Sequence, residues 1–485
     1  MKGRGPFLGL WSVVLQWSRF GIAAIVFLVI ARWLSLAEIG SFAVAAAPLR
    51  LLLVIHRNGI TDAVIVKRAG ANKARDTDAL FALSLIAALV SSVTLLLGAY
   101  LASGLSALSD DIFAMMAYLA LVPLLTGIAA VPEGILRHGL RIRALALRTL
   151  AVQSCAAAAA IIAASQGLGA WSMVIFLLVN AGLGAISTSV LARWCPGRLP
   201  DGAEIRRSLS LVLLLSGQGL TATALQPILQ FGVGVWLGMA DAGAFQIALR
   251  FLGLLDAIAV APLRFLALPL LTAVATSLGN PVSLMLRGLR LATLVIAPVY
   301  LGAAAVAPTI LMLFVGSDHA ASSVLLLQIF CIFGFANAAC MVLMQASVAT
   351  GQARLALWRS LAMLVSSVAL AWPALGMSVV AVASATTLAA LCVSVAIFFI
   401  VPARLGLSPA QCFAAVAPPI LSGLLMAIVL FTARSLDVLQ STSSVISLSV
   451  SAIAGIVMYA LLMQVFDRAA LADVRRALAA SERSA

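Results

Sequence analysis

Along this chain long apolar runs alternate with short polar joints. A hydrocarbon core about 30 Å thick takes roughly 20 apolar residues per helix. Fourteen stretches reach that length: 7–31, 39–57, 79–101, 112–131, 144–165, 170–192, 209–237, 243–271, 288–307, 323–347, 355–374, 377–401, 412–433 and 442–466. The pattern predicts an all-α integral membrane protein of about 14 transmembrane helices. In the second run Pro48 and Arg50 predict a break, because proline removes a backbone donor. The eighth carries Arg250, Asp256 and Arg264. Lys2 and Arg4 before the first run resemble a secretory leader. The run is too long for one, has Arg19 at its centre and ends without a small-x-small site, so it reads as an uncleaved span.

Composition narrows the class. Of 485 residues, 64% are hydrophobic and 9% charged, against roughly 25% charged in soluble domains. That excludes a secreted enzyme, a disordered tail protein and a conventional basic nucleic-acid module. Transporter, channel, membrane-embedded enzyme and assembly scaffold remain. The net charge of +14 reflects topology, with basic residues in loops facing anionic lipid. With the N-terminus inside, 24 of the 30 Lys and Arg fall on the inside, only Arg32 and Arg434 outside, and Arg19, Arg50, Arg250 and Arg264 within spans. This asymmetry predicts an even number of spans and cytoplasmic termini. Twelve spans would preserve it; thirteen would not. The six cysteines show no CxxC or CxxH spacing and read as small packing residues, with no metal site.

An internal repeat organises the runs. Trp33-Leu34-Ser35-Leu36-Ala37-Glu38-Ile39-Gly40-Ser41-Phe42 resembles Trp236-Leu237-Gly238-Met239-Ala240-Asp241-Ala242-Gly243-Ala244-Phe245, and Arg143–Leu150 resembles Arg354–Leu361. Both matches pair span n with span n+6. The expected layout is two six-helix lobes of parallel-repeat type, 1–208 and 209–401, then two further spans in 402–466 and a cytoplasmic tail at 467–485.

Ionisable groups at membrane depth are costly and tend to face a cavity. Arg19 and Arg50 lie near the centres of spans one and two. At 100° per residue, Arg250, Asp256 and Arg264 share one broad face of span eight. Read together they form a cationic cavity for an anionic head group, since the arginine fork matches phosphate oxygens and stays charged. The competing reading has Arg250 and Arg264 snorkelling to opposite interfaces and Asp256 in a structural ion pair. Gln16 and Gln218 add polar groups to the candidate cavity; with Gln226 and Gln230 they serve equally as interhelical hydrogen-bonding groups. The Asp76-Thr77-Asp78 triplet reads as a solvated helix start rather than a metal–nucleotide motif, and His56, His138 and His319 as interfacial. No nucleotide-binding motif and no cofactor signature is present.

Ala31-Arg32-Trp33-Leu34-Ser35 followed by Glu38, Gly40, Phe42 and Ala43, and Gly59-Ile60-Thr61-Asp62-Ala63-Val64-Ile65-Val66-Lys67-Arg68, resemble the opening signature of polysaccharide flippases. These form the oligosaccharide branch of the multidrug/oligosaccharidyl-lipid/polysaccharide exporter superfamily, which includes Wzx-type O-antigen flippases. Ile39 and Asn58 depart from the usual aromatic and Asp, and Arg50 and His56 are unusual in that span. The resemblance implies a bacterial inner-membrane flippase. It would move polyprenyl-pyrophosphate-linked oligosaccharide outward by alternating access, driven by an ion gradient or the membrane potential. Polysaccharide polymerase and glycosyltransferases are the implied partners. In related lipid II flippases, arginines of the first, second and eighth spans line the cavity, and Arg19, Arg50 and Arg250 occupy comparable spans. A multidrug antiporter of the same fold would favour an acidic cavity. A membrane enzyme would need a large outside loop, which is not present here. A scaffold of a synthesis complex would leave lipid distribution unchanged.

Overall fold

The computed structural model describes residues 21–68, 73–102, 109–275, 281–350, 352–436 and 444–467, and those residues are almost wholly helical. Twelve helices are long and apolar enough to cross a bilayer, and a bent pair makes a further span. The short helix α1 (Gly21–Ala31) is the described end of the first predicted run; residues 1–20, including Gln16 and Arg19, lie outside the described residues.

A turn leads from α1 into α2 (Leu36–Val54). Ser35 and Glu38 cap that start reciprocally: the Ser35 N–H donates to Glu38 Oε2 at 2.7 Å and the Glu38 N–H to Ser35 Oγ at 3.2 Å. Contrary to the expected break, α2 runs unbroken through Pro48. It continues through a π-helical turn, Ile55–Ile60, into α3 (Thr61–Lys67), a single 32-residue span. The expected loop at 58–78 is therefore largely helix. Asn58 and Gly59 mark not the end of the helix but a close approach to the seventh span. A Cβ on Gly59 would lie 2.1 Å from Ser216 Oγ, and one on Gly219 2.7 Å from Val54.

The following spans are α4 (Lys73–Ala102), α5 with α6 (Asp110–Leu119, Leu121–His138), α7 (Ile142–Ser165) and α8 (Trp171–Ala192). The seventh is α9 (Gly202–Thr223) with α10 (Leu225–Trp236), bent by 54°. Pro227 explains the bend, since its ring meets the carbonyl of Thr223 and it has no N–H to return. Then come α11 (Met239–Ala275), α12 (Pro281–Val315), α13 with α14 (Ser317–Ala339, Met341–Ala349), α15 (Ala353–Ala374), α16 (Val379–Arg404), α17 (Pro409–Ser435) and α18 (Ser444–Phe466). The tail beyond Asp467 lies outside the described residues.

Contacts divide the chain into two compact units, Met1–Gln246 with Leu375–Val379, and Ile247–Ala374 with Val380–Ala485. In the first, Ile60, Ala63, Val64, Leu80, Leu83, Ala130, Val131 and Val212 form a continuous core. Glycines bring its helices close, as lipid-embedded packing requires: added Cβ atoms on Gly127 and Gly134 of α6 would sit 2.7 Å from Ala88 and Val64. The loop before α9 is pinned by Arg198, which holds Glu204 at 2.5 and 2.7 Å. The Gly197 N–H donates to Asp78 Oδ1 at 3.2 Å, and Lys67 pairs with Asp76 at 3.2 Å. The Asp76–Asp78 triplet does open a helix, but its carboxylates are tied down rather than solvated.

The repeated motif meets its own copy. A Cβ on Gly40 would lie 1.8 Å from the Met239 carbonyl oxygen, and one on Gly243 2.0 Å from that of Leu36. Leu36 and Met239 are equivalent repeat positions, as are Gly40 and Gly243, so the contact is reciprocal, in the manner of a two-fold interface. Burial repeats too: Phe42 and Phe245 are buried, while Trp33 and Trp236 are each 55% exposed.

In the second unit the two C-terminal spans pack on α12. Ala305, Met426, Leu430, Tyr459 and Met463 form their core, and the Tyr459 hydroxyl donates to the Leu294 carbonyl at 3.1 Å. Arg290 on α12 pairs with Asp467 at the end of α18.

Candidate functional site

Arg50 sits half-buried midway along the second span. Its Nη1 donates to Gln246 Oε1 at 3.4 Å, and Gln246 is fully buried. Gln218 is exposed on α9, whereas Gln230 is buried and donates to the Ala242 carbonyl at 2.9 Å. In the second unit Arg250 is half-buried on α11, and Asp256 accepts a hydrogen bond from the hydroxyl of Tyr300, itself fully buried on α12. The backbone of Arg264 continues α11, but its side chain, like Gln16 and Arg19, is outside the described residues. The geometry thus ties Arg50 to Gln246 within the first unit and Asp256 to Tyr300 within the second.

A cavity of about 310 Å³ with a mixed, largely apolar lining opens inside the first unit, between the end of α2, the π-helical turn, α3 and helices α6, α7 and α8. Its chemistry comes from His56, Arg57, Glu133, Arg148, Gln153 and Asn180, with the hydroxyls of Thr61, Thr126 and Thr149. The π turn inserts an extra residue into the helical repeat, a feature frequent at functional sites. It lies where His56 and Arg57 meet the cavity. His56, expected at the interface, is only 3% exposed. The Thr61 hydroxyl donates to the carbonyls of His56 at 3.0 Å and Ala130 at 3.1 Å, fastening the turn to α6.

Glu133 on α6 holds Arg137 one turn later at 2.6 Å, and Arg137 also approaches Asp62 at 3.8 Å. Arg148 reaches from α7 to α8, donating to the Gly184 carbonyl at 2.7 Å and Ser187 Oγ at 3.1 Å. Gly184 makes room for it, because a Cβ there would lie 3.0 Å from the guanidinium. Arg359, its repeat equivalent in the second unit, likewise bonds a neighbouring helix, donating to Asn337 Oδ1 at 2.7 Å.

Hydropathy and charge alone do not single out this cavity: Arg57 and Arg148, at the ends of their apolar runs, group with the basic residues expected on the inside. Asn180 and Gln153, amides well inside apolar runs, are the signal that could have drawn attention to spans five and six.

The described residues make an almost wholly helical polytopic membrane protein, with an internal sequence repeat and, inside its first unit, a cavity whose lining includes charged groups. A sequence model of the polysaccharide biosynthesis protein family matches residues 29–324. The chain belongs to that family. It is 23% identical over 317 residues to the succinoglycan biosynthesis transport protein ExoT of Rhizobium meliloti (strain 1021), a match covering 64% of this chain and 62% of that protein's length. Among solved structures it is similar to the lipid II flippase MurJ in an inward closed conformation. The TM-score is 0.76 at 14% identity, covering 95% of this chain and 99% of that one. It is also similar to an inward-facing multidrug resistance MATE family transporter of the MOP superfamily. There the TM-score is 0.65 at 14% identity, over 82% of this chain and 98% of the other. At such identities the likeness is one of fold.

Proposed function

We propose that this protein carries polyprenyl-pyrophosphate-linked oligosaccharide from the cytoplasmic to the periplasmic leaflet of a bacterial inner membrane. It does so by alternating access, in the service of exopolysaccharide, capsule or O-antigen synthesis. Membership of the polysaccharide biosynthesis family supports the pathway. The observation that carries the substrate class is Arg50, a guanidinium held half-buried at the middle of a 32-residue apolar span and hydrogen-bonded there by Gln246. A permanent charge at that depth is costly and is retained where it meets an anion; the guanidinium fork matches phosphate oxygens. Arg19, Arg250, Asp256 and Arg264, with Gln16 and Gln218, complete the proposed substrate path. The repeats 1–208 and 209–401 are its moving parts, 402–466 a two-span addition, and the tail and N-terminus are cytoplasmic. The protein moves its substrate and breaks no bond in it; polymerase and glycosyltransferases act before and after.

The test is the leaflet distribution of lipid-linked oligosaccharide in a deletion strain. Accumulation on the inner leaflet, relieved by the natural gene but not by Arg50→Ala, is the expected result. Arg50→Lys should restore little, since an ammonium keeps the charge without the fork. A normal distribution in the deletion strain, together with restored drug efflux on re-expression, would replace this reading with the multidrug antiporter.

A further inference from the structure

The helix ends on one side of the first unit hold basic chemistry that the transport reading leaves unused. Helices α3 and α6 touch at Gly134, where an added Cβ would fall 2.7 Å from Val64. One turn further along each helix stand Arg68 and His138. The chain then leaves α6 by a tight turn. The N–H groups of Gly139, Leu140 and Arg141 donate to the carbonyls of Ile135, Arg137 and Leu136 at 3.0, 3.0 and 3.1 Å, with Leu140 in the left-handed region at φ 52°. Arg141 stands at the start of α7. Arg68, His138 and Arg141 line a cavity of about 340 Å³ that reaches the end of α8 at Ala192.

These three are the polar side chains of its wall; the rest is aliphatic or glycine. Among the described residues none of the three has a side-chain hydrogen bond or an ion pair. The carboxylates of the neighbouring elements are engaged elsewhere. Glu133 and Asp62 lie 2.6 and 3.8 Å from Arg137, Asp76 lies 3.2 Å from Lys67, Asp78 accepts from the Gly197 N–H, and Glu204 holds Arg198. Nor do the basic groups cap α6, whose last carbonyls already accept the backbone donors of the turn. The elements that form the pocket also present large apolar side chains outward: Leu140 is 62% exposed, Ile186 64% and Val190 71%. Ile186 and Val190 stand one turn apart on α8, so an apolar stripe runs from the basic end toward the middle of the span.

We infer that this pocket binds the headgroup phosphate of an anionic phospholipid in the leaflet on its own side of the bilayer, with Arg68, Arg141 and His138 as donors. The guanidinium forks match phosphodiester oxygens, and basic pockets between spanning helices suit such headgroups. The acyl chains lie along the exposed apolar stripe of α8. That pairing of a basic pocket with an apolar flank fits an amphiphile better than a free anion. A zwitterionic lipid brings its own ammonium, which two guanidiniums repel, so the site selects phosphatidylglycerol over phosphatidylcholine. In the orientation proposed above the leaflet is the cytoplasmic one. None of the three residues belongs to the proposed transport path, so the two readings stand or fall separately.

Calorimetric titration of the purified full chain in maltoside detergent tests this, with dioctanoyl phosphatidylglycerol, dioctanoyl phosphatidylcholine and inorganic phosphate as separate titrants. Saturable binding of phosphatidylglycerol is expected, tighter than that of either other titrant. Arg68→Gln and Arg141→Gln should each weaken it by about tenfold or more, as loss of a charged hydrogen bond implies. Neither side chain holds another described part of the chain, so the lipid-free variants should melt like the natural protein. Arg206→Gln removes the same charge from the exposed start of α9, outside the pocket, and should leave binding almost unchanged. Phosphate binding as tightly as phosphatidylglycerol makes this a free-anion site and overturns the lipid assignment. Equal binding of the two lipids, undiminished binding in Arg68→Gln and Arg141→Gln, or a loss as large in Arg206→Gln overturns the pocket itself.

Discussion

The reciprocal glycine contact between the two copies of the repeat makes a sharp prediction. Alanine at residue 40 or 243 places a methyl group 1.8 Å from the Met239 oxygen or 2.0 Å from the Leu36 oxygen. Both obstacles are backbone, so no rotamer change relieves them. Ordinary contact begins at 3.4 Å, so the chains must part by about 1.6 Å or 1.4 Å, a displacement of the kind that costs roughly 1–3 kcal/mol in a packed interior. In a thermal melt of the full chain in detergent, each single variant should lose roughly 2–6 °C, taking about 2 °C per kcal/mol for a large chain. The pair should not be additive. Once one methyl has forced the helix starts apart, the second meets a gap already opened, so the double variant should fall short of the summed losses by about 0.5 kcal/mol or more. Gly217→Ala is the control, because nothing lies within 4 Å of its added Cβ; its melt should be unchanged or slightly higher. Unchanged melting of Gly40→Ala and Gly243→Ala, or strict additivity, would refute a single shared contact.

Three further outcomes follow from named interactions. Asp467→Ala leaves Arg290 without its buried carboxylate and should destabilise the second unit by about 3–5 kcal/mol, read as a lower melting temperature. Pro227→Ala restores the missing N–H and should straighten the seventh span. Spin labels at residues 207 and 236, in a chain with its six cysteines replaced, should then move apart by about 5 Å in a dipolar distance measurement, taking 1.5 Å per residue through the 54° bend. Asn337→Leu deprives half-buried Arg359 of its 2.7 Å acceptor and should cost about 1–3 kcal/mol, whereas Asn337→Asp should be tolerated or stabilising in the same melt.

The spans were legible because crossing lipid asks only for length and apolarity, which any window of the sequence displays. Their ends were less so. Asn58 and Gly59 look like the polar close of a helix, and the π turn that keeps them inside it is favoured by close packing against α9, more than 150 residues later. The breaks within α5–α6 and α13–α14 left no trace in hydropathy, although Pro123, four residues after Leu119, accounts for the first. The repeat was legible from Trp33, Glu38, Gly40 and Phe42 and their copies, since tryptophan and acidic residues are scarce in so apolar a chain and fall in register with the Gly and Phe. The cavity was not. A basic side chain near the inner end of a span reads the same whether it reaches water or turns inward. For Arg148 the difference is made by Gly184, whose bare carbonyl only the folded chain brings within reach.

The π-helical turn carries a consequence for ancestry. Such a turn arises when one residue is inserted into an α-helix without breaking it, so every later position is rotated by about 100° from where uninterrupted α-helical phase would put it. A relative that lacks the insertion would present, on the same face as Thr61 and Asp62, residues that an ungapped alignment pairs with their neighbours. Correspondence between such proteins along the C-terminal half of this span is therefore a matter of faces, offset by one position after Ile60. Residues that look substituted in a plain alignment of 61–67 can be the same residues, one step displaced.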